Sequence, residues 1–141
     1  MNKLIRRAEE VALSYQGTPY IWGGDDPLGF DCSGLCIEVL KSVGFLPRSG
    51  DWTAALLYDK FAVTEQGHLG CLVFYHSSRN PQRIIHVEFC LGDGLAIGAS
   101  GGGSSTTSIA TAMAQNAFIK IRPIDSRKNL LGFTDPFIDL R

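Results

Sequence analysis

Apolar positions in the first sixteen residues recur at steps of three and four: Leu4, Ile5, Ala8, Val11, Ala12 and Tyr15. That is the period of one helix face, so a helix is expected over residues 3–16, stopped by Gly17 and Pro19. From 17 to 30 the text GTPYIWGGDDPLGF carries four glycines and two prolines, which turn the backbone too often for a regular element and suit an ordered loop or an approach to a site. Leu35, Cys36, Val39, Leu40 and Val43 form a second helical stripe, with Asp31 as the expected N-cap and Gly44 at the C′ position. This reading puts Cys32 in the first helical turn. Thr53 can cap a third, shorter helix over Ala54–Phe61, apolar enough to be packed rather than exposed.

After residue 70 the period changes. Cys71–His76, Ile84–Leu91, Leu95–Ser100 and Ala117–Ile124 are short apolar or alternating runs separated by turn residues, which read as four strands. Gly92-Asp93-Gly94 closes a hairpin between the middle two. If those three residues form the loop, positions summing to 186 pair, so Glu88 faces Gly98 and His86 faces Ser100. Helices first and strands afterwards predict an α+β fold with one antiparallel sheet. The segment Gly101–Ser108, GGGSSTTS, is expected to be mobile, either a lid over a site or a surface connection.

Composition narrows the function. At 141 residues the chain is one domain, 1–141, and 13 Lys+Arg nearly cancel 14 Asp+Glu. Neither this balance nor any basic run supplies the charge that nucleic acid or an anionic membrane requires, so both are excluded as partners; small neutral ligands or polar polymers fit better. With 45% hydrophobic and 19% charged residues the chain can bury a core. The first ten residues, MNKLIRRAEE, interleave five charges with apolar positions and do not read as a signal peptide, so synthesis in the cytoplasm is expected. The uncharged stretch from Gly94 to Ile119 has a polar, glycine-laden middle and reads as loop, not membrane span. Four cysteines, at 32, 36, 71 and 90, are sparse for a disulfide scaffold and read as free thiols.

A cysteine at a helix start is exposed to unpaired backbone N–H groups and the positive end of the helix dipole, both of which favour thiolate. Such a nucleophile needs a base, and His86 lies on an expected strand 54 residues later, so only the tertiary fold can join them. Cysteine before histidine is the papain-type order. Around these residues the sequence reads G-T-P-Y-I-W-G-G from Gly17, then D-C-S-G-L from Asp31, then H-V at His86 followed by a strand hairpin. This resembles the NlpC/P60 family of papain-like cysteine peptidases, over residues 1 to about 103. The resemblance implies an α+β papain-like fold, Cys32 as nucleophile, His86 as general base, and Tyr20 as a residue whose hydroxyl reaches the catalytic centre. Trp22, Asp31, Ser33 and Ser100 are expected with Tyr20 on the substrate side, although Trp22 could equally pack the loop. Backbone N–H groups near Cys32 could receive an oxyanion, and Gly23, Gly24 and Gly34 would admit an extended substrate. The family generally cleaves bacterial cell-wall peptides, typically between γ-D-glutamyl and a diamino acid.

Two departures stand out. The family places His, Asn or Gln twelve residues after the base, where it fixes the imidazole; this chain has Gly98. On the expected register Glu88, where the family usually has a small residue, shares a face with His86 and could replace the missing side chain. The alternative is a solvated Glu88, with water, Ser100 or a main-chain carbonyl holding His86. The second departure is Cys71, in a strand where the family tends to have Asp.

Cys32, Cys36, His86 and Cys90 could be drawn as a metal site, but two ligands on a helix and two on a strand are unfavourable geometry; no metal and no cofactor are expected, and Cys36 and Cys90 read as buried small hydrophobes. His68 and His76 have no partner pattern, and Trp52 fills core or lines a groove. The expected activity is hydrolysis of an amide in murein stem peptides or similar small peptides through a Cys32 thioester, in a phage or prophage lysis or tail protein acting at the wall or in a cytosolic recycling enzyme. Its rivals are an acyltransferase, deamidase or other amidase on the same scaffold, and a catalytically inactive binding module.

Overall fold

The computed structural model describes residues 2–21, 25–26, 29–30 and 32–141, with the backbone alone for 25, 26, 29 and 30. Helix α1, Lys3–Ser14, starts where the Asn2 side chain accepts the Leu4 N–H at 2.7 Å and buries Ile5, Ala8 and Ala12. It stops two residues short of the expected end because the Tyr15 and Gln16 N–H groups close tight turns onto Ala12 and Leu13, and Gly17 then takes a left-handed backbone. Inside the stretch expected to be irregular, β1 (Asp25–Asp26) and β2 (Gly29–Phe30) form a two-residue antiparallel pair. Helix α2, Gly34–Ser42, is almost wholly buried, and Gly44 follows it at positive φ as expected. Helix α3 is Ala54–Lys60, with Thr53 accepting the Leu56 N–H.

One six-stranded antiparallel sheet holds β3 (Ala62–Thr64), β4 (Leu72–His76), β5 (Ile84–Gly92), β6 (Leu95–Ser100), β7 (Phe118–Pro123) and β8 (Leu130–Asp135), in the order β3-β8-β4-β5-β6-β7. The fold class is therefore α+β as expected, but two of the six strands went unread. The more consequential is β8, which runs between β3 and β4 in the sheet. Its sequence, LLGFTD, breaks alternation at Gly132, and its register against β4 shifts beside that glycine. The chain end is fastened to it: Arg141 donates to both Asp135 carboxylate oxygens and to the Leu69 carbonyl, while Phe137 is fully buried.

The β5–β6 turn also differs from expectation. Asp93 and Gly94 both have positive φ, the pattern of a two-residue type I′ turn, and a bulge between Cys90 and Gly92 absorbs the extra residue. Because of that bulge, Phe89 still pairs with Ile97 and Cys90 with Ala96, the same register that a three-residue loop would give.

Strand alternation separates two apolar layers. Leu72, Phe74, Val87, Phe89, Ile97 and Ile119 face the helices in the main core. Cys71, Val73, Tyr75, Cys90 and Ala96 line a smaller core on the opposite face, packed with Ile124 and Phe133. His86 and Glu88 belong to this second face, since Tyr75 and Val73 are their partners in the ladder.

The segment Gly101–Ser108 is not slack. Thr106 is fully buried and its hydroxyl donates to Gln115 and accepts the Gly103 N–H, while Ser108 caps the short helix α4, Ile109–Ala114. Gly101 has positive φ against the Asn116–Ala117 backbone, where a Cβ would come within 2.8 Å of the Asn116 carbonyl. Within this segment Thr106 and Ser108 are thus tied down by their hydroxyls, while most of the other residues are exposed. No helix of the described residues is long and apolar enough to cross a membrane.

Candidate active site

Cys32 sits in a turn two residues before α2, not in its first turn, and Ser33 rather than Asp31 occupies the N-cap position. The Ser33 side chain does not close the cap, and its backbone is already helical, so the helix entry is set by the turn itself. Asp31 lies outside the described residues, as do Trp22, Gly23 and Gly24. The turn leaves Cys32 half-buried, with its sulfur 3.5 Å from the Ile85 carbonyl, and so carries it to the strand that bears His86. Cys32 and His86 line one cleft of about 290 Å³, together with Tyr20, Ile85, Gly102 and Arg127 among others.

His86 is almost completely buried, and its Nε2 lies 2.6 Å from Glu88 Oε2, itself buried. A carboxylate there accepts the Nε2 proton, leaving Nδ1 as the basic nitrogen of the neutral ring. Burial pulls the His86 pKa below the ordinary imidazole range; the bond to Glu88 and its charge push the other way, and Arg127 and Arg122 add to the lowering. The ring also leans on Tyr75, 5.7 Å between centroids.

Glu88 reaches His86 because position 98 has no side chain. A Cβ on Gly98 would fall 2.4 Å from Glu88 Cγ, 2.8 Å from Cδ and 3.0 Å from Oε2. The Glu88 carboxylate thus occupies the space into which any residue at 98 would project, and the two positions exclude one another sterically.

The remaining expectations divide. Tyr20 is buried against the cleft, and its ring lies so close to Gly102 that a Cβ there would meet it at 2.4 Å. Ser100 is buried with its hydroxyl accepting from Arg122 at 3.0 Å and is not among the described residues that line the cleft, and the side chain bonded to His86 is Glu88. Ser33 is also buried and outside the cleft lining. Cys36, Cys71 and Cys90 are free, buried thiols whose pKa values rise, chiefly through burial, so they stay protonated. Among the described residues no three or more His, Cys, Asp or Glu side chains converge to hold a metal ion.

Sequence reasoning missed Arg127, which follows a short 3₁₀ turn after β7 and enters the cleft from the unread end of the chain. Nothing local to it, in the text Asp-Ser-Arg-Lys-Asn, distinguishes it from a surface arginine.

Comparison with known proteins agrees with this geometry. A profile of the NlpC/P60 family matches residues 17–123. The bifunctional muramidase/DL-endopeptidase CwlT of Bacillus subtilis is 36% identical over 85 residues, 59% of this chain and 25% of CwlT, so the chain spans a quarter of that relative's length. The solved NlpC/p60 domain of the peptidoglycan hydrolase SagA superposes with a TM-score of 0.66 at 26% identity, covering 96% of this chain and 98% of that domain. RipD of Mycobacterium tuberculosis, described as a non-catalytic NlpC/p60 protein adapted to peptidoglycan binding, shares the fold at TM-score 0.66 and 19% identity, covering 94% of this chain and 96% of RipD. The fold alone therefore does not carry catalysis.

Proposed function

The chain belongs to the NlpC/P60 family, and from that premise we propose that it is a cysteine-dependent amidase acting on bacterial cell-wall stem peptides, with Cys32 as nucleophile, His86 as base and then acid, and Glu88 as the positioning residue of the imidazole. The observation that carries this reading is the 2.6 Å bond between His86 and Glu88 on the wall of the cleft that holds Cys32. A buried carboxylate that fixes the ring and its tautomer is what a catalytic imidazole requires.

In the proposed cycle Nδ1 takes the thiol proton as the sulfur attacks the scissile carbonyl, and the developing imidazolium is stabilised by Glu88 through Nε2–H. Collapse of the tetrahedral intermediate expels the amine, which takes the proton from Nδ1 and leaves a Cys32 thioester. Water, deprotonated by the same nitrogen, then releases the acid and regenerates the thiol. Tyr20, packed on Gly102 at the cleft, borders the substrate's path. The bond favoured is γ-D-glutamyl to a diamino acid, in keeping with the DL-endopeptidase named in CwlT and the hydrolase named in SagA.

Digestion of purified murein and defined stem peptides by the wild-type protein and Cys32→Ala, with fragments identified by mass, tests the proposal. Cleavage at the γ-D-glutamyl bond is expected from the wild type, falling by at least about 10³-fold in Cys32→Ala. Intact peptides throughout would replace the hydrolase with a binding module.

A further inference from the structure

Arg127 is built into the cleft wall rather than draped over it. Its guanidinium lies 5.6 Å from the Tyr75 ring centroid, and the Tyr75 hydroxyl donates at 2.8 Å to the Ile124 carbonyl, at the start of the turn that delivers Arg127. One buried tyrosine therefore supports both the arginine side chain and the backbone that carries it. A contact over the ring face holds the guanidinium without consuming its hydrogen-bond donors.

Among the residues whose side chains are described, no carboxylate pairs with Arg127. Glu88 is bound to His86, Asp135 to Arg141, and Glu10 to Arg7. Among the described residues lining the cleft, Arg127 is also the one permanently charged side chain. A half-buried cation with no carboxylate partner among the described side chains, held in the wall of a substrate cleft, is suited to bind an anion that arrives with the substrate.

We propose that Arg127 reads a free carboxylate beside the scissile amide, so that the preferred substrate is an anionic peptide and the corresponding primary amide is rejected. The inference rests on the hydrolase reading above and sharpens its substrate. A γ-linked glutamyl residue supplies such a group, because linkage through the side chain leaves its α-carboxylate unconjugated on the acyl side of the cleavage point. Converting that α-carboxylate to an α-carboxamide changes one oxygen to NH₂ and removes the charge at nearly constant shape.

The test compares two synthetic peptides, alanyl-γ-D-glutamyl-lysine with a free α-carboxylate and the same peptide as its α-amide, using wild type, Arg127→Gln and Arg127→Lys, each first shown by thermal melting to fold. The wild type is expected to favour the acid about 10- to 100-fold in kcat/KM, the range of one charge-assisted hydrogen bond, mostly through KM, with the preference shrinking as salt rises. Arg127→Gln should lose on the acid alone and bring the ratio near one; Arg127→Lys should fall between. Equal cleavage of both peptides by the wild type overturns the proposal. So does an Arg127→Gln protein that slows both substrates alike, since an arginine that merely tunes His86 would shift both pH profiles together and leave the ratio unchanged. Calorimetry with the Cys32→Ala protein separates this inference from the one beneath it. Tighter binding of the acid without wild-type turnover keeps the carboxylate reading and removes the hydrolase; turnover without preference keeps the hydrolase and removes the reading.

Discussion

The two faces of β5 are both buried, yet they are built for opposite ends. Toward the helices it presents Val87 and Phe89, which meet Phe74 and Leu72 across one ladder. Away from them it presents His86 and Glu88, which meet Tyr75 and Val73 and face Arg127 and Arg122 electrostatically. The first face stabilises by removing hydrocarbon from water. The second holds ionisable groups at a cost in desolvation, visible as a depressed His86 and raised Tyr75, Cys71 and Cys90. Residues one step apart on a single strand should therefore fail in different ways when changed.

The largest effect on folding is expected from Phe89→Ala. The ring is fully buried between sheet and helices, so truncation should cost about 3–5 kcal/mol of stability. Turnover per folded molecule, measured well below the lowered melting temperature, should hardly change. A catalytic loss as deep as that of Glu88→Ala, with the melt unmoved, would erase the division between the faces.

Glu88→Ala sharpens the contrast from the other side, because it should slow turnover by about 10- to 100-fold through loss of ring orientation and charge stabilisation. A small cost in stability is also expected, on the order of 1–3 kcal/mol, because His86 Nε2 would be left buried without its partner. The decisive protein is the double replacement Glu88→Ala/Gly98→Asn. Since Glu88 occupies the space above Gly98, Gly98→Asn alone should clash and impair both folding and activity, whereas the pair should regain part of the turnover lost in Glu88→Ala. Simple additivity of the two losses would show that positions 88 and 98 do not share one task.

How much of this was legible in the sequence follows from the range of the interactions involved. The period of Leu4 to Tyr15, the Thr53 cap and the alternation in 84–91 are local signals, and they locate α1, α3 and β5 within a few residues. Glu88 stands beside His86 by strand alternation alone, and the register that sets Glu88 against Gly98 was legible because it depends on a hairpin only two residues wide at its tip, where a bulge restores the count expected for a three-residue loop. Strand β8 was illegible because its pairing with β3 and β4 lies more than fifty residues away in sequence, while its own text is broken by Gly132. Arg127 was hidden for the same reason: its significance is its contact with Tyr75 and the cleft, neither of which is near it in the chain. In GGGSSTTS the inward turn of Thr106 to Gln115 was illegible because composition counts hydroxyls as solvent-facing.

The finest discrimination between the faces is in pH. Burial favours neutral imidazole, so the acid limb of kcat/KM is expected below the ordinary imidazole value of about 6.5, as a property of the thiol–imidazole pair. The same depression means that the unfolded chain takes up the His86 proton before the folded one. Stability from this residue is complete above the ordinary value and is lost as pH falls through the lowered one. The neighbours then predict shifts of opposite sign. Glu88 raises the His86 pKa, so Glu88→Gln should move the limb further toward acid while slowing the reaction; Arg127 lowers it, so Arg127→Gln should move the limb back toward neutrality. Val87→Ala, on the helix-facing side of the same strand, should leave the limb in place even though it destabilises the fold. Profiles of kcat/KM from pH 4 to 8 for the four proteins read all three directions at once, and a limb that moves the same way for Glu88→Gln and Arg127→Gln would mean that the charges around His86 do not set its titration.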